Sequence, residues 1–157
     1  MVDAAHLERN SSLCNCAALR RASRRVSHFY DSALAPAGLK STQFAMLVEI
    51  GRRAEEPPTI RDLGEALVMD QSTIGQNLRP LEREGLVAIA ADPNDRRRRN
   101  IALTRKGRAK VAAARPLWEY AQARFESAFG AKESARLRAT LLTIAIDLPL
   151  GESAAKA

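Results

Sequence analysis

Two short apolar runs, Leu86–Ala90 and Asn100–Leu103, flank the polar segment Ala91-Asp92-Pro93-Asn94-Asp95-Arg96-Arg97-Arg98-Arg99, and they constrain this chain more than any other feature. Both runs are the length of a strand, and the turn residues between them predict a β-hairpin. Gly85 immediately before the hairpin suits the C′ position of a preceding helix, and Thr104 immediately after it suits the N-cap of a following one. The hairpin therefore lies between helices, and its tip carries four consecutive arginines.

The remaining pattern is helical. From about Ser11 to Leu34, Leu19, Ala22, Val26, Phe29, Tyr30 and Ala33 recur at three- and four-residue steps, which predicts one amphipathic helix ending at Pro36 and Gly38. Ser41 or Thr42 is expected to cap a short helix bearing Phe44, Leu47, Val48 and Ile50. Pro57-Pro58-Thr59 then leaves room only for a short extended segment. A third helix is expected over 60–67, with Ile60, Leu63 and Leu67 inward, and Asp70 is a good N-cap for a fourth running to about Glu84. After Thr104, Val111, Ala114, Trp118, Ala121, Phe125 and Phe129 form one stripe, with a bend expected at Pro116 and a break at Gly130. A last helix is expected over 132–147. Aromatic residues make up only 4% of the chain, in keeping with a mainly α fold carrying one small β-hairpin.

A short helix, a tight turn, a second helix and a two-stranded wing make up a winged helix-turn-helix lobe. The stripes on the first and last helices exceed what so small a lobe can cover, and a second copy of the chain is the simplest partner for them. No run approaches the length of a membrane span, and the N-terminal residues lack the basic start and apolar core of a secretory signal, so a cytoplasmic location is expected. Cys14, Cys16, His6 and His28 match no metal-ligand spacing, and no phosphate loop or nucleophile elbow occurs. Neither an enzyme nor a metal or other cofactor is expected.

The net charge is +7, and residues 92–110 alone contribute +6 of it through Arg96, Arg97, Arg98, Arg99, Arg105, Lys106, Arg108 and Lys110 against Asp92 and Asp95. A local basic patch on a nearly neutral body is the electrostatic footprint of a phosphate-binding surface. Four adjacent arginines repel one another and help no core, and a wing-tip arginine can enter a narrow minor groove. On the fourth helix, Ile74, Leu78 and Leu81 are expected to face the lobe, while Gln71, Ser72, Gly75, Gln76 and Arg79 face outward. Gln76 can pair with adenine, and Arg79 with guanine or a phosphate. Such a face taken alone reads more readily as an ordinary solvated surface.

The run Gln71-Ser72-Thr73-Ile74, then Leu81-Glu82-Arg83-Glu84-Gly85-Leu86-Val87, Asp92-Pro93-Asn94-Asp95-Arg96-Arg97 and Leu103-Thr104-Arg105-Lys106-Gly107, resembles the multiple-antibiotic-resistance regulator (MarR) family. The resemblance covers roughly residues 13 to 148, and its most specific part is D-x-x-D-x-R before L-T-x-x-G. It implies a single domain over 1–157, with dimerisation helices at about 11–34 and 105–148 and a DNA-binding lobe at about 41–104. It further implies a homodimer on duplex DNA, probed through Gln71, Ser72, Thr73, Gln76, Asn77 and Arg79 in the major groove. Arg97 would enter the minor groove, braced by Asp95 and flanked by Arg96 and Arg98, and Ser41 and Thr42 would meet phosphate. Members are mostly repressors released from a pseudo-palindromic operator by a small, often phenolic, ligand.

Within that resemblance Cys16 falls where the hydroperoxide-sensing subgroup places its reactive cysteine, and Tyr30 matches one tyrosine that hydrogen-bonds the thiolate there. The subgroup's other two tyrosines fall at Arg20 and Ser41, so most of that cage is missing. Cys14 and Cys16 read more readily as small residues filling a helical interface, and two positions apart on a helix they would point about 200° from each other, away from a mutual disulfide. Arg20, Arg24 and His28 are candidates for meeting a carboxylate or phenolate effector. The competing reading for the whole chain is an architectural protein that binds DNA without preferred sites.

Overall fold

A computed structural model describes residues 14–149, and the expected helix start at 11–13 lies outside them. Helix α1 (Asn15–Leu34) leads through a 3₁₀ turn (Ala35–Ala37) to α2 (Ser41–Arg52), α3 (Ile60–Leu67) and α4 (Gln71–Arg83). The hairpin β1 (Val87–Ala91) and β2 (Arg99–Leu103) follows, then the long α5 (Arg105–Phe129) and α6 (Ala131–Leu142), which ends in a π-helical turn (Thr143–Asp147). The strands pair antiparallel with Val87 opposite Leu103 and Ile89 opposite Ile101. Pro58 extends this small sheet by one hydrogen bond, its carbonyl accepting from the Ile101 N–H at 2.8 Å.

The core of the lobe forms where α2, α3, α4 and the hairpin meet. Phe44, Met46, Leu47, Ile50, Leu63, Ile74, Leu78, Leu81, Leu86, Val87 and Ile101 are all buried, and Ala114 of α5 closes the cluster. Ile74, Leu78 and Leu81 thus face inward as their spacing predicts.

Helix ends account for most of the chain's local geometry. Asp70 caps α4 by accepting the Thr73 N–H at 2.8 Å. At the other end Gly85, at φ +70°, closes a Schellman motif: the Leu86 N–H donates to the Leu81 carbonyl and the Gly85 N–H to that of Glu82, both at 2.8 Å. Leu86 therefore belongs to the helix cap, and β1 begins at Val87, one residue later than expected. The start of α2 departs further. Lys40 is its N-cap, and its N–H donates to the Gln43 side chain at 3.0 Å. Ser41 does not cap, because its N–H and hydroxyl both donate to the Asp31 carboxylate of α1, at 2.7 and 2.6 Å.

The junction between wing and α5 is the tightest in the lobe. Thr104 caps α5 by accepting the Gly107 N–H at 3.0 Å, while its own N–H donates to the Leu86 carbonyl and its hydroxyl to that of Gly85. Gly107 is buried against the same Leu86 carbonyl, and any Cβ there would collide with it. The L-T-x-x-G pattern is thus a cap plus a position with no space for a side chain. Helix α5 runs unbroken through Pro116, so the expected bend does not divide it.

Between α3 and α4 the backbone turns at Val68, which holds φ 52°, ψ 50° with no glycine to ease it. A β-branched residue is strained in this left-handed region, and this one is 64% exposed, so no buried contact holds it there.

Two outcomes follow for stability. Gly107→Ala should cost about 3 kcal/mol, read from chemical denaturation, because the carbonyl it meets is fixed backbone. Val68→Gly should raise the melting temperature, with strain relief of about 1 kcal/mol outweighing the added chain entropy; a lower one would show that Val68 makes a compensating contact.

Candidate nucleic-acid interface

Helices α3 and α4 form the helix-turn-helix, and burial of Ile74, Leu78 and Leu81 turns the opposite face of α4 outward. Gln71, Ser72, Gln76 and Arg79 are exposed on that face. Gly75 lies among them, and a side chain at that position would meet nothing within 4 Å. Thr73 and Asn77 are placed differently. The Thr73 hydroxyl donates to Asp70 at 2.6 Å, and the Asn77 amide donates to the Thr73 carbonyl at 2.9 Å. Both are half-buried and already bonded, so Gln76 and Arg79 are the longer free side chains of this surface. Ser41, held by Asp31, has likewise committed its hydroxyl hydrogen, and Thr42 beside it is half-buried.

The wing tip is organised by an acid rather than by its arginines. Asp92 Oδ1 accepts the N–H groups of Asn94 and Asp95 at 2.8 and 3.2 Å, and Oδ2 accepts the Asn100 amide at 2.7 Å. These bonds, led by that from Asn94, hold the Asp92 carboxyl below its ordinary pKa. Asp95 acts similarly: Oδ1 accepts the backbone N–H of Arg97 at 3.0 Å, fixing where the Arg97 main chain runs rather than pairing with its guanidinium. The D-x-x-D-x-R pattern thus builds a turn that presents arginines.

The basic segment divides into two sets. Arg98 folds back, its guanidinium 3.5 Å from Asp62 and its Nε 3.1 Å from the Asn100 oxygen. Asp62 also closes the capping box of α3 by accepting the Thr59 N–H at 2.8 Å, and that bond is the main reason its pKa is lowered. Lys106 donates to the Glu84 carbonyl at 2.7 Å, Arg108 to that of Leu103 at 2.8 Å and Lys110 to that of Ala37 at 3.1 Å. These four staple helix and strand ends. Arg96, Arg97, Arg99 and Arg105 are exposed and form no ion pair among the described residues. Sequence spacing counts all eight alike, because three of the staples bond main-chain carbonyls that no side-chain pattern marks and the fourth, Arg98, reaches an acid on another helix.

The candidate sensing residues lie on α1. Cys14 is the extended N-cap of this helix, at ψ 109°, and Cys16 lies in its first turn, so the pair does not share one helical geometry; both are exposed. Tyr30 is half-buried and donates to Gln122 of α5 at 2.7 Å, with its pKa raised chiefly by burial. Fourteen residues separate it from Cys16, about 21 Å along one helix, so the two do not meet within one chain. Arg20, Arg24 and His28 are all exposed, and their i, i+4, i+8 spacing sets them along one stripe of the helix.

The sequence model described as the MarR family matches residues 37–98, which run from the end of α1 through the wing tip. The chain is 34% identical over 86 residues to the transcriptional regulator SarZ of Staphylococcus saprophyticus, covering 55% of this chain and 58% of SarZ. It spans about half to three-fifths of the length of the curated relatives it matches. Solved structures match over nearly their whole length. The M. tuberculosis regulator MosR in complex with DNA is 35% identical, with 84% of this chain and 93% of that one covered at a TM-score of 0.75. The repressor CouR on a 23-mer DNA duplex is 30% identical, with 85% and 94% covered at a TM-score of 0.75. A CouR from Rhodococcus jostii bound to p-coumaroyl-CoA is 29% identical, with 83% and 90% covered at a TM-score of 0.70. With its helix-turn-helix, its acid-organised wing and this near full-length likeness to known regulators, the chain belongs to the MarR family of transcription regulators.

Proposed function

We propose that this chain is a homodimeric repressor that reads a pseudo-palindromic operator and leaves it when a small ligand or an oxidant acts on the helical layer. The observation that carries the reading is the pairing of two free polar surfaces on one rigid lobe. Gln71, Ser72, Gln76 and Arg79 are exposed on the outer face of α4, and Arg96 and Arg97 are exposed on a turn that Asp92 and Asp95 hold in shape. Phosphate contacts set register, and the α4 side chains supply base readout.

Dimerisation is supported by what the single chain leaves uncovered. Leu19, Val26, Leu141, Leu142 and Ile146 are between 36% and 71% exposed, and all lie on α1, α6 or the turn that follows. Apolar surface of this extent on adjacent helices marks an interface. A two-fold dimer would place its α4 helices about 34 Å apart, one turn of duplex. That one similar regulator named CouR is seen on DNA and a CouR from Rhodococcus jostii is seen with p-coumaroyl-CoA supports a small molecule as the effector. The oxidant branch of the reading rests on Cys14 and Cys16, both accessible, with Tyr30 as the matching tyrosine.

Fluorescence anisotropy with duplexes from the chain's own promoter region, against scrambled duplexes of equal length, tests the reading. Tight binding by a dimer to one symmetric site is expected; equal binding to every duplex would establish the architectural alternative instead. Arg97→Ala should weaken operator binding about tenfold or more while circular dichroism stays unchanged. Gln76→Ala should lower discrimination at one base pair by about 1–3 kcal/mol, measured against a panel of single-base operator variants. A panel response identical to that of the unaltered protein would remove Gln76 from base readout.

A further inference from the structure

One face of α1 carries charge that neither the lobe nor its DNA surface uses. Arg21, Arg24, Arg25 and His28 follow i, i+3, i+4, i+7 spacing and so fall within an arc of about 100° on the helix. The opposite face, with Leu19, Ala22, Val26 and Tyr30, lines a cavity of about 500 Å³ shared with α5 and α6. All four basic residues are exposed, and none forms an ion pair among the described residues. Asp31, the one acid of α1, has its carboxylate occupied by Ser41.

Like charges at this spacing repel, and an exposed helix ordinarily tempers them with interleaved acids. Here the stripe has none, and its strong cations are all arginines, whose planar forks bind phosphate in pairs of hydrogen bonds. With Phe29 they line a concavity of about 540 Å³. Phe29 is 36% exposed, and its ring stands nearly perpendicular to that of Tyr30 with centroids 5.4 Å apart. Tyr30 is in turn anchored to Gln122, so the exposed ring has a fixed backing. Two such stripes pressed together in a dimer would repel, so the apolar face is the one a second copy covers.

We propose that this stripe binds a nucleotide-type anion, with its phosphates on Arg21, Arg24 and Arg25 and its base against Phe29. A free nucleotide and the nucleotide handle of a coenzyme A thioester share this chemistry. Only the link from binding to DNA release rests on the regulator reading; the binding itself does not.

The intact protein is titrated into etheno-ADP and, separately, etheno-CoA, following anisotropy. Saturable binding is expected, with inorganic diphosphate competing, and Arg21→Gln with Arg25→Gln should weaken it about tenfold or more. Phe29→Leu should weaken the etheno probes but not diphosphate, and Arg97→Ala should change neither. Tighter binding of etheno-CoA would identify the thioester handle as the source, and equal binding a free nucleotide. Absence of saturation, equal binding by the double arginine variant, or loss in Arg97→Ala instead would overturn the site. Operator affinity of the double variant, measured without nucleotide, should stay within about threefold of the parent, because no stripe residue belongs to the DNA surface. A protein that binds operator but neither probe would refute this site alone, and one that binds the probes but no operator would refute only the regulator.

Discussion

The direct approach of α5 to the backbone of Leu86 is the contact on which the geometry of the lobe depends. Leu86 donates its N–H to the end of α4 and gives its carbonyl to Thr104, at the start of α5, and it stands at the threshold of β1. Gly107 lets α5 pack onto that carbonyl with nothing between. The recognition helix, the wing and the long helix therefore share one joint of a few residues. A displacement of α5 therefore bears on the wing and on the end of α4 together, because the hydrogen bonds that end one element begin the next.

The same economy governs the helical layer. Helix α1 is tied to the lobe at its C-terminal end by Asp31 on Ser41 and by buried Leu34, and to α5 by Tyr30 on Gln122. From Cys14 to Phe29 every residue but the half-buried Ala17 is exposed in the single chain. A helix so anchored at one end and so open along its length gains its remaining stability from whatever covers it.

Much of this was legible in the sequence where cause and effect lie within a few residues. Asp70, Gly85 and Thr104 mark helix ends through bonds that span no more than five residues, and the α3 bounds emerge as expected. The inward face of α4 is equally local, since periodicity alone decides it. The departures share a different physics. Ser41 loses its capping role to Asp31, ten residues away, and Lys106 reaches the carbonyl of Glu84, across the hairpin. Arg98 turns from the tip toward Asp62, an acid that sequence places in another helix altogether. Val68 adopts a conformation for which glycine or asparagine would be the ordinary signal, so composition could not announce it. For the candidate site, the choice of helix and wing was legible, but the division of its side chains into free and committed groups depended on tertiary partners.

That division has a consequence for the thermodynamics of association. Each phosphate neutralised on duplex DNA releases somewhat less than one condensed counterion, so log affinity falls against log salt with a slope of about −0.9 per contact. Formal charge would assign the segment from Asp92 to Lys110 eight such contacts. Arg98, Lys106, Arg108 and Lys110 already spend their donors on Asp62 and on carbonyls at helix and strand ends. A bond to a neutral carbonyl fixes a cation without cancelling its charge, so of these four only Arg98, beside Asp62, is neutralised in place, while Arg96, Arg97, Arg99 and Arg105 stay at liberty to turn toward a polyanion. Charge in this segment is thus divided between cations fixed at helix and strand ends and cations that can still follow a phosphate.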